Sequence, residues 1–171
     1  MFSPKSVAVI GASASKGKVG FSVMRNIQQS AFDGDVYPIN PSGGEIFGYK
    51  AYKSVSEIPG SIDLAVICIP AKFVSASVEE CGQKGVKSIV IITAGFREIG
   101  GDGTQREHEI IEIANKYHMR ICGPNCLGII TKANFSFASI TPKRGNIAML
   151  SQSGAMMTGL QIGRASCRER V

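Results

Sequence analysis

The chain has 171 residues, 44% of them hydrophobic, which suffices for one ordinary core and the start of another. No apolar run approaches the roughly 20 residues that cross a bilayer, and no signal-peptide layout precedes the first strand pattern, so a cytoplasmic protein is expected. The formal charge of +6 is scattered, Trp is absent and the aromatics do not interleave with the basic residues, which argues against a nucleic-acid platform.

Residues 7–10 are a continuous apolar run ending at Gly11, the pattern of a strand buried on both faces of a parallel sheet. Val19, Val23, Met24 and Ile27 then recur at helical spacing. Residues 36–39 read as a second strand that Pro38 should end early. Ser54 and Glu57 have capping-box spacing, opening a short turn before Pro59. Residues 64–69 are a third buried strand, followed by a helix that turns Val74, Val78 and Cys81 to one side and stops at Gly85. Residues 88–93 give a fourth strand. A helix over about 104–117 should bury Ile110, Ile111, Ile113 and Ala114, and residues 119–122 give a fifth strand.

Five alternations of strand and helix predict an α/β fold over residues 1–131, a Rossmann-like doubly wound parallel sheet with right-handed crossovers. Ligands of such sheets bind at the carboxyl ends of the strands. Periodicity fades after Thr131 and Pro142 follows, so residues 132–145 are expected to be a connection. Residues 146–150 restart a buried strand and Ser151-Gln-Ser-Gly154 opens a helix, the beginning of a second domain over 146–161 that stays unfinished. The last ten residues, 162–171, break the apolar spacing and supply three arginines and one glutamate; back-translated, they read as a sequencing-library adapter in frame, and they are expected to be non-native. Without them the formal charge falls by two, to +4.

The loop after the first strand is rich in Gly and Ser and lies where backbone N–H groups and a helix dipole can hold a phosphate. Gly11, Gly17 and Gly20 do not form G-x-G-x-x-G, however, and Asn40-Pro41 stands where an acid would meet the ribose of a dinucleotide. The phosphate-loop pattern fails too, at Ala12 and Val19. Lys16 and Lys18 could neutralise phosphates or could be solvated surface charges, and the loop itself could be a turn without a ligand. Pro70-Ala71, Thr93-Ala94-Gly95 and the segment 123–128 place small or rigid residues at the same sheet edge, where a ligand could approach closely. Asn125 could contact that ligand or simply hold its own turn. His108 and His118 sit on an exposed helix face and at a helix end, and no Ser-His-Asp set, paired carboxylate or metal cluster assembles. The five cysteines, an odd number with no C-x-x-C pair, read as reduced thiols and not as a metal site.

Together, Gly11-Ala-Ser13, residues 37–41, 63–71, 88–96, Gly123-Pro-Asn-Cys-Leu-Gly128 and 145–154 resemble the acyl-CoA synthetases that form ADP, relatives of the succinyl-CoA synthetase alpha subunit, over residues 5–160. The resemblance implies that coenzyme A lies at the strand ends, bound by Gly11, Ser13, Lys16, Gly17, Lys18, Pro41, Pro70, Thr93, Ala94 and Asn125. Many relatives have a lysine after the proline that Pro41 matches, where it meets a coenzyme A phosphate; here Ser42 and Gly43 follow, leaving Lys16 or Lys18 to compensate. Succinyl-type relatives carry Glu at the position of Ala94, which implies a contact through backbone alone. The unfinished second domain would be flavodoxin-like. Ser151, Ser153 and Gly154 match the helix start that faces a phosphohistidine in relatives, and that histidine belongs beyond the end of this chain, so no catalytic residue and no metal site are expected within it. The implied parent is an acyl-CoA, foremost acetyl-CoA, synthetase working with ADP or ATP, magnesium and an ATP-grasp domain or beta subunit. Two alternatives stand beside it: a stand-alone coenzyme A-binding module, which residues 145–154 argue against, and the synthetase-like regulatory part of a protein acetyltransferase.

Overall fold

The computed structural model describes residues 1–139 and 148–159. In chain order, β1 (Ser6–Ile10) leads into α1 (Val19–Gln29), then β2 (Asp35–Ile39), a two-stranded hairpin of β3 (Glu45–Ile46) and β4 (Tyr49–Lys50), and β5 (Leu64–Ile67). Next come α2 (Val74–Gln83), β6 (Ser88–Ile91), α3 (Asp102–Lys116), β7 (Arg120–Cys122) and a second hairpin, β8 (Gly128–Ile130) with β9 (Asn134–Ser136). The main sheet is parallel throughout, with order β2-β1-β5-β6-β7. This is the doubly wound fold expected from the alternation of strands and helices.

The period-2 alternation of each strand divides the core into two halves, one per face of the sheet. Ala8, Ile10, Ala65, Ile67, Ile89 and Ile91 face one side, where Val74, Val78 and Cys81 of α2 and Ile110 and Ala114 of α3 cover them. Val7, Val9, Leu64, Val66 and Val90 face the other, under Val23, Met24 and Ile27 of α1 and Phe135 of β9. Central strands buried on both faces must be apolar at every position, which is why residues 7–10 and 64–67 show no alternation in sequence.

Several expectations need correction. Pro38 does not end β2 early: the strand runs to Ile39 at the sheet edge. The Pro38 carbonyl accepts from the Tyr52 N–H at 2.9 Å on the outer side, so the missing N–H of the proline also faces away from β1 and costs the ladder nothing. Ile111 is 47% exposed, because α3 packs only a narrow stripe onto the sheet. The Glu57 carboxylate reaches the Lys53 N–H instead of that of Ser54, although the expected short turn before Pro59 does form, with the Ile58 N–H donating to the Val55 carbonyl at 3.2 Å. Residues 132–138, taken as connection, contain β9, whose Asn134, Phe135 and Ser136 are wholly buried against α1 and the sheet. The expected strand at 146–150 falls partly outside the described residues; its described part, 148–150, is not a strand, and Leu150 is 87% exposed, since no neighbouring strand is there to pair with it among the described residues. Residues 154–159 do turn into helix, as expected. The segment 162–171 lies outside the described residues. No helix among those described is long and apolar enough to cross a membrane.

Candidate cofactor site at the carboxyl edge of the sheet

The strand order reverses direction at β1, whose neighbours are β2 and β5, and the crevice above such a switch point is where open α/β sheets bind ligands. The first loop is held tightly there. Gly11 and Ala12 both donate their N–H groups to the Ile39 carbonyl, at 3.0 and 3.2 Å. Gly11 has φ +92°, and a Cβ at that position would lie 2.7 Å from the Cys68 carbonyl oxygen, so no side chain fits. Gly20, in the first turn of α1, presses on the Gly11 carbonyl with equally little room. The helix therefore begins directly over the loop. Its N-cap, Lys18, has an extended backbone and no capping side chain, and the first turn holds no acid, so the positive end of the helix faces the loop without a built-in counter-charge. Lys16, Gly17 and Lys18 are exposed beside it. Ser13 accepts the Ser15 N–H at 3.0 Å through its hydroxyl oxygen, which leaves its O–H free to donate outward.

Asn40 was singled out in the sequence only for lacking a charge, yet it ties two loops of the site together. Its Nδ2 donates to the Ala12 carbonyl at 2.8 Å, and its Oδ1 accepts the Ser42 N–H at 2.9 Å. Pro41 stands exposed between these contacts. At the end of β5, Pro70 is exposed and caps a single 3-10 turn, Ala71–Phe73. Thr93 links three loops, its hydroxyl donating to the Ile69 carbonyl at 2.7 Å and its own carbonyl accepting the Asn125 N–H at 2.9 Å. Asn125 has φ +53°, the left-handed conformation that its turn role demands. The Glu98 carboxylate accepts the Gly95 N–H at 2.6 Å and the Phe96 N–H at 3.2 Å, while Arg106 Nη1 donates to the Gly95 carbonyl at 3.2 Å. The Gly95 contact, chiefly, holds the Glu98 carboxyl below its ordinary range.

Two cavities open on this edge. One, of about 350 Å³, has Val19, Cys68, Ile69, Ile92, Thr93, Ala94, Asn125 and Phe137 as its wall. The other, of about 420 Å³, is bounded by Asn125, Cys126, Leu127 and Phe137 on one side and by Ser153, Gly154, Ala155 and Thr158 on the other. The structure thus gathers Thr93, Ala94 and Asn125 in one space and Asn125, Ser153 and Gly154 in the next. Gly11, Ser13, Lys16, Gly17, Lys18, Pro41 and Pro70 lie on loops of the same edge but outside both linings. Ser153 caps its helix, its hydroxyl accepting the Met156 N–H at 3.2 Å, and Ser151 in turn accepts the Ser153 N–H at 3.0 Å. Sequence reading missed Phe137, which lines both cavities, and took Val19 for core although it is 41% exposed in the wall of the smaller one. Val19 had a signal: it directly follows the N-cap, where a helix side chain meets the ligand edge.

The chemistry of the walls is that of binding. Neither cavity has a charged side chain in its lining, so an acid–base pair is missing from both. Burial pushes the Cys68 thiol up to about 12, which leaves it protonated and a poor nucleophile. Among the described residues no cluster of His, Cys, Asp or Glu could hold a metal ion. What the edge offers is an uncapped helix start with two lysines beside a mostly apolar trough carrying one hydroxyl and one amide. That arrangement suits a ligand with phosphates at one end and a long, sparsely polar arm.

Residues 5–132 match the family described as the CoA binding domain. The chain belongs to that family. As a CoA-binding domain it is 53% identical over 161 residues to the acetate–CoA ligase [ADP-forming] II subunit alpha of Pyrococcus furiosus, a match covering 93% of this chain and 35% of that one. It is 50% identical to the 4-hydroxybutyrate–CoA ligase [ADP-forming] of Nitrosopumilus maritimus, covering 94% and 24%. Among solved structures it superposes on the dinucleotide forming acetyl-coenzyme A synthetase 1 of Ca. Korarchaeum cryptofilum, in complex with phosphate and ADP, with TM-score 0.91, 39% identity, and coverage of 96% and 36%. The chain therefore spans about a quarter to a third of the length of the curated relatives it matches.

Proposed function

We propose that the chain is the coenzyme A-holding part of an ADP-forming acyl-CoA synthetase, with acetate as the foremost acid. The observation that carries the reading is the adjacency of an anion-ready helix start to an apolar trough in a chain of the CoA-binding family. In this reading the phosphates of coenzyme A lie against the Gly11–Lys18 loop, with Ser13, Lys16 and Lys18 donating and Gly17 leaving room. Pro41 and Pro70 border the nucleotide. The pantetheine arm passes Val19, Thr93 and Ala94 and brings its thiol towards Asn125.

The second cavity extends this proposal. Ser151, Ser153 and Gly154 would present a helix start to a phosphorylated group of the full-length enzyme, stabilising its negative charge through N–H groups and hydroxyls. The residues of this chain bind and orient; the phosphoryl carrier, ADP or ATP, magnesium and the ATP-grasp partner belong to the rest of the parent protein in this proposal. The acid substrate is then set elsewhere, in keeping with relatives named for acetate and for 4-hydroxybutyrate. The proposed division of the chain follows suit: a cofactor-holding unit over 1–131, a connection within 132–145, the opening of a second unit over 146–161 and a non-native end over 162–171. Free cysteines at positions 68, 81, 122 and 126 favour a reducing compartment, the cytoplasm.

Isothermal calorimetry separates this reading from its nearest competitor. The chain titrated with coenzyme A should release or absorb heat with a saturable isotherm, and NAD should give none. Saturable binding of NAD with no response to coenzyme A would overturn the proposal.

A further inference from the structure

Beyond Ile39 the chain leaves β2 at the carboxyl edge, turns through Ser42, Gly43 and Gly44 into the first hairpin, and then comes back alongside. Tyr52 pairs with Ile39 in parallel, its N–H donating to the Pro38 carbonyl and its carbonyl accepting the Asn40 N–H, both at 2.9 Å. That register carries Lys53 just past the end of β2, level with Asn40. The lysine chain runs over Gly43: a Cβ there would lie 3.8 Å from the Lys53 Cε, with nothing else within 4 Å, and Gly44 beside it is open. Lys53 is exposed, and its ammonium forms no ion pair among the described residues. Glu57 is engaged with its backbone N–H at 3.0 Å, and the neighbouring Lys50 ammonium sits over the Tyr52 ring, 5.3 Å from the centroid.

We infer that Lys53 reads the ribose phosphate of coenzyme A and so separates this cofactor from relatives whose ribose carries only hydroxyls. The end of the second strand is where a doubly wound sheet meets an adenosine ribose; an acid there accepts from ribose hydroxyls, whereas a cation there receives a ribose phosphate. No acid stands between Val36 and Gly44, and Asn40 is neutral and engaged at both ends, with Ala12 and with Ser42. A phosphate above Gly43 would instead meet an unpaired ammonium over glycines that have no side chain to displace. Coenzyme A carries charge at two places, its diphosphate and its 3′-phosphate, and this edge offers cations at two places. Lys16 and Lys18 stay with the diphosphate at the start of α1, and Lys53 serves the ribose. Sequence gave Lys53 no such role, because only the pairing of Tyr52 with Ile39 brings it to the rim.

The inference deepens the proposed function and rests on it, and one set of calorimetric titrations separates their fates. The full chain is titrated with coenzyme A and with dephospho-coenzyme A, which lacks only the 3′-phosphate. The unaltered chain should bind coenzyme A at least about 10-fold more tightly. Lys53→Gln should weaken coenzyme A by a similar factor and leave dephospho-coenzyme A unchanged, erasing the preference, while Lys53→Arg should keep most of it. Lys16→Gln and Lys18→Gln should weaken both ligands alike. A preference that survives Lys53→Gln, or an equal loss for both ligands in that variant, would overturn the role of Lys53 while leaving the proposed function standing. Failure of the unaltered chain to bind coenzyme A would sink both.

Discussion

Gly11 is barred from carrying a side chain twice over, by its φ of +92° and by the Cys68 carbonyl 2.7 Å from any Cβ. Gly11→Ala must therefore strain the backbone or push β1 and β5 apart, and a loss of about 2 kcal/mol or more in unfolding free energy is expected from denaturant titration. Coenzyme A affinity should fall with it, because the loop and the start of α1 move together. Glu98 acts more gently, as a carboxylate that fastens the 93–96 loop through two N–H groups. Its carboxyl is held below the ordinary range in the folded chain, so its contribution is complete above the unfolded value, roughly 4.3, and is lost as pH falls through the lower folded value. Glu98→Gln should lower the melting temperature at neutral pH, and the gap from the unaltered chain should close as the solution is acidified; a gap independent of pH would contradict this role. Gly11 and Thr93 could be picked from sequence because small or hydroxylated residues after a buried strand are conspicuous. Asn40 and Phe137 could not, since their roles depend on which loops meet at the edge, a fact that only the strand order supplies.

At the scale of the element, the apolar runs made the central strands readable, whereas hairpin β8–β9 stayed hidden. Its strands have three residues each, too short for a period to emerge, and β9 buries Asn134 and Ser136 together with Phe135. Polar residues in a buried strand read as loop until their partners are known. One partner is Asn26 of α1, 3% exposed, whose Nδ2 donates to the carbonyls of Ser136 at 2.9 Å and Ala138 at 2.8 Å. Asn26→Ala would strand both carbonyls in the interior and should cost about 2 kcal/mol or more, measured by urea unfolding. An effect near zero would mean that the hairpin is not anchored through this residue. The hairpin matters for the site because it leads to Phe137, which lines both cavities. Pro38 teaches the converse, for a residue that should interrupt a strand is harmless once its N side faces outward from an edge.

For the whole molecule, alternation predicted the doubly wound class, but the order β2-β1-β5-β6-β7 decides where the site lies, by setting the switch point above β1 and β5. The two faces of the sheet are closed by α1 with the second hairpin and by α2 with α3, so the carboxyl edge is where the five loops stay free to converge. The chemistry along that edge runs from positive charge at Lys16 and Lys18 to the apolar trough behind Val19 and on to the helix start at Ser153. Hydrogen–deuterium exchange with and without coenzyme A reads this edge directly. Slower exchange is expected in residues 11–20, 68–73, 93–96 and 123–128, with the opposite, amino-terminal ends of the strands unchanged. Protection confined to those opposite ends or to the outer faces of α2 and α3 would contradict the account.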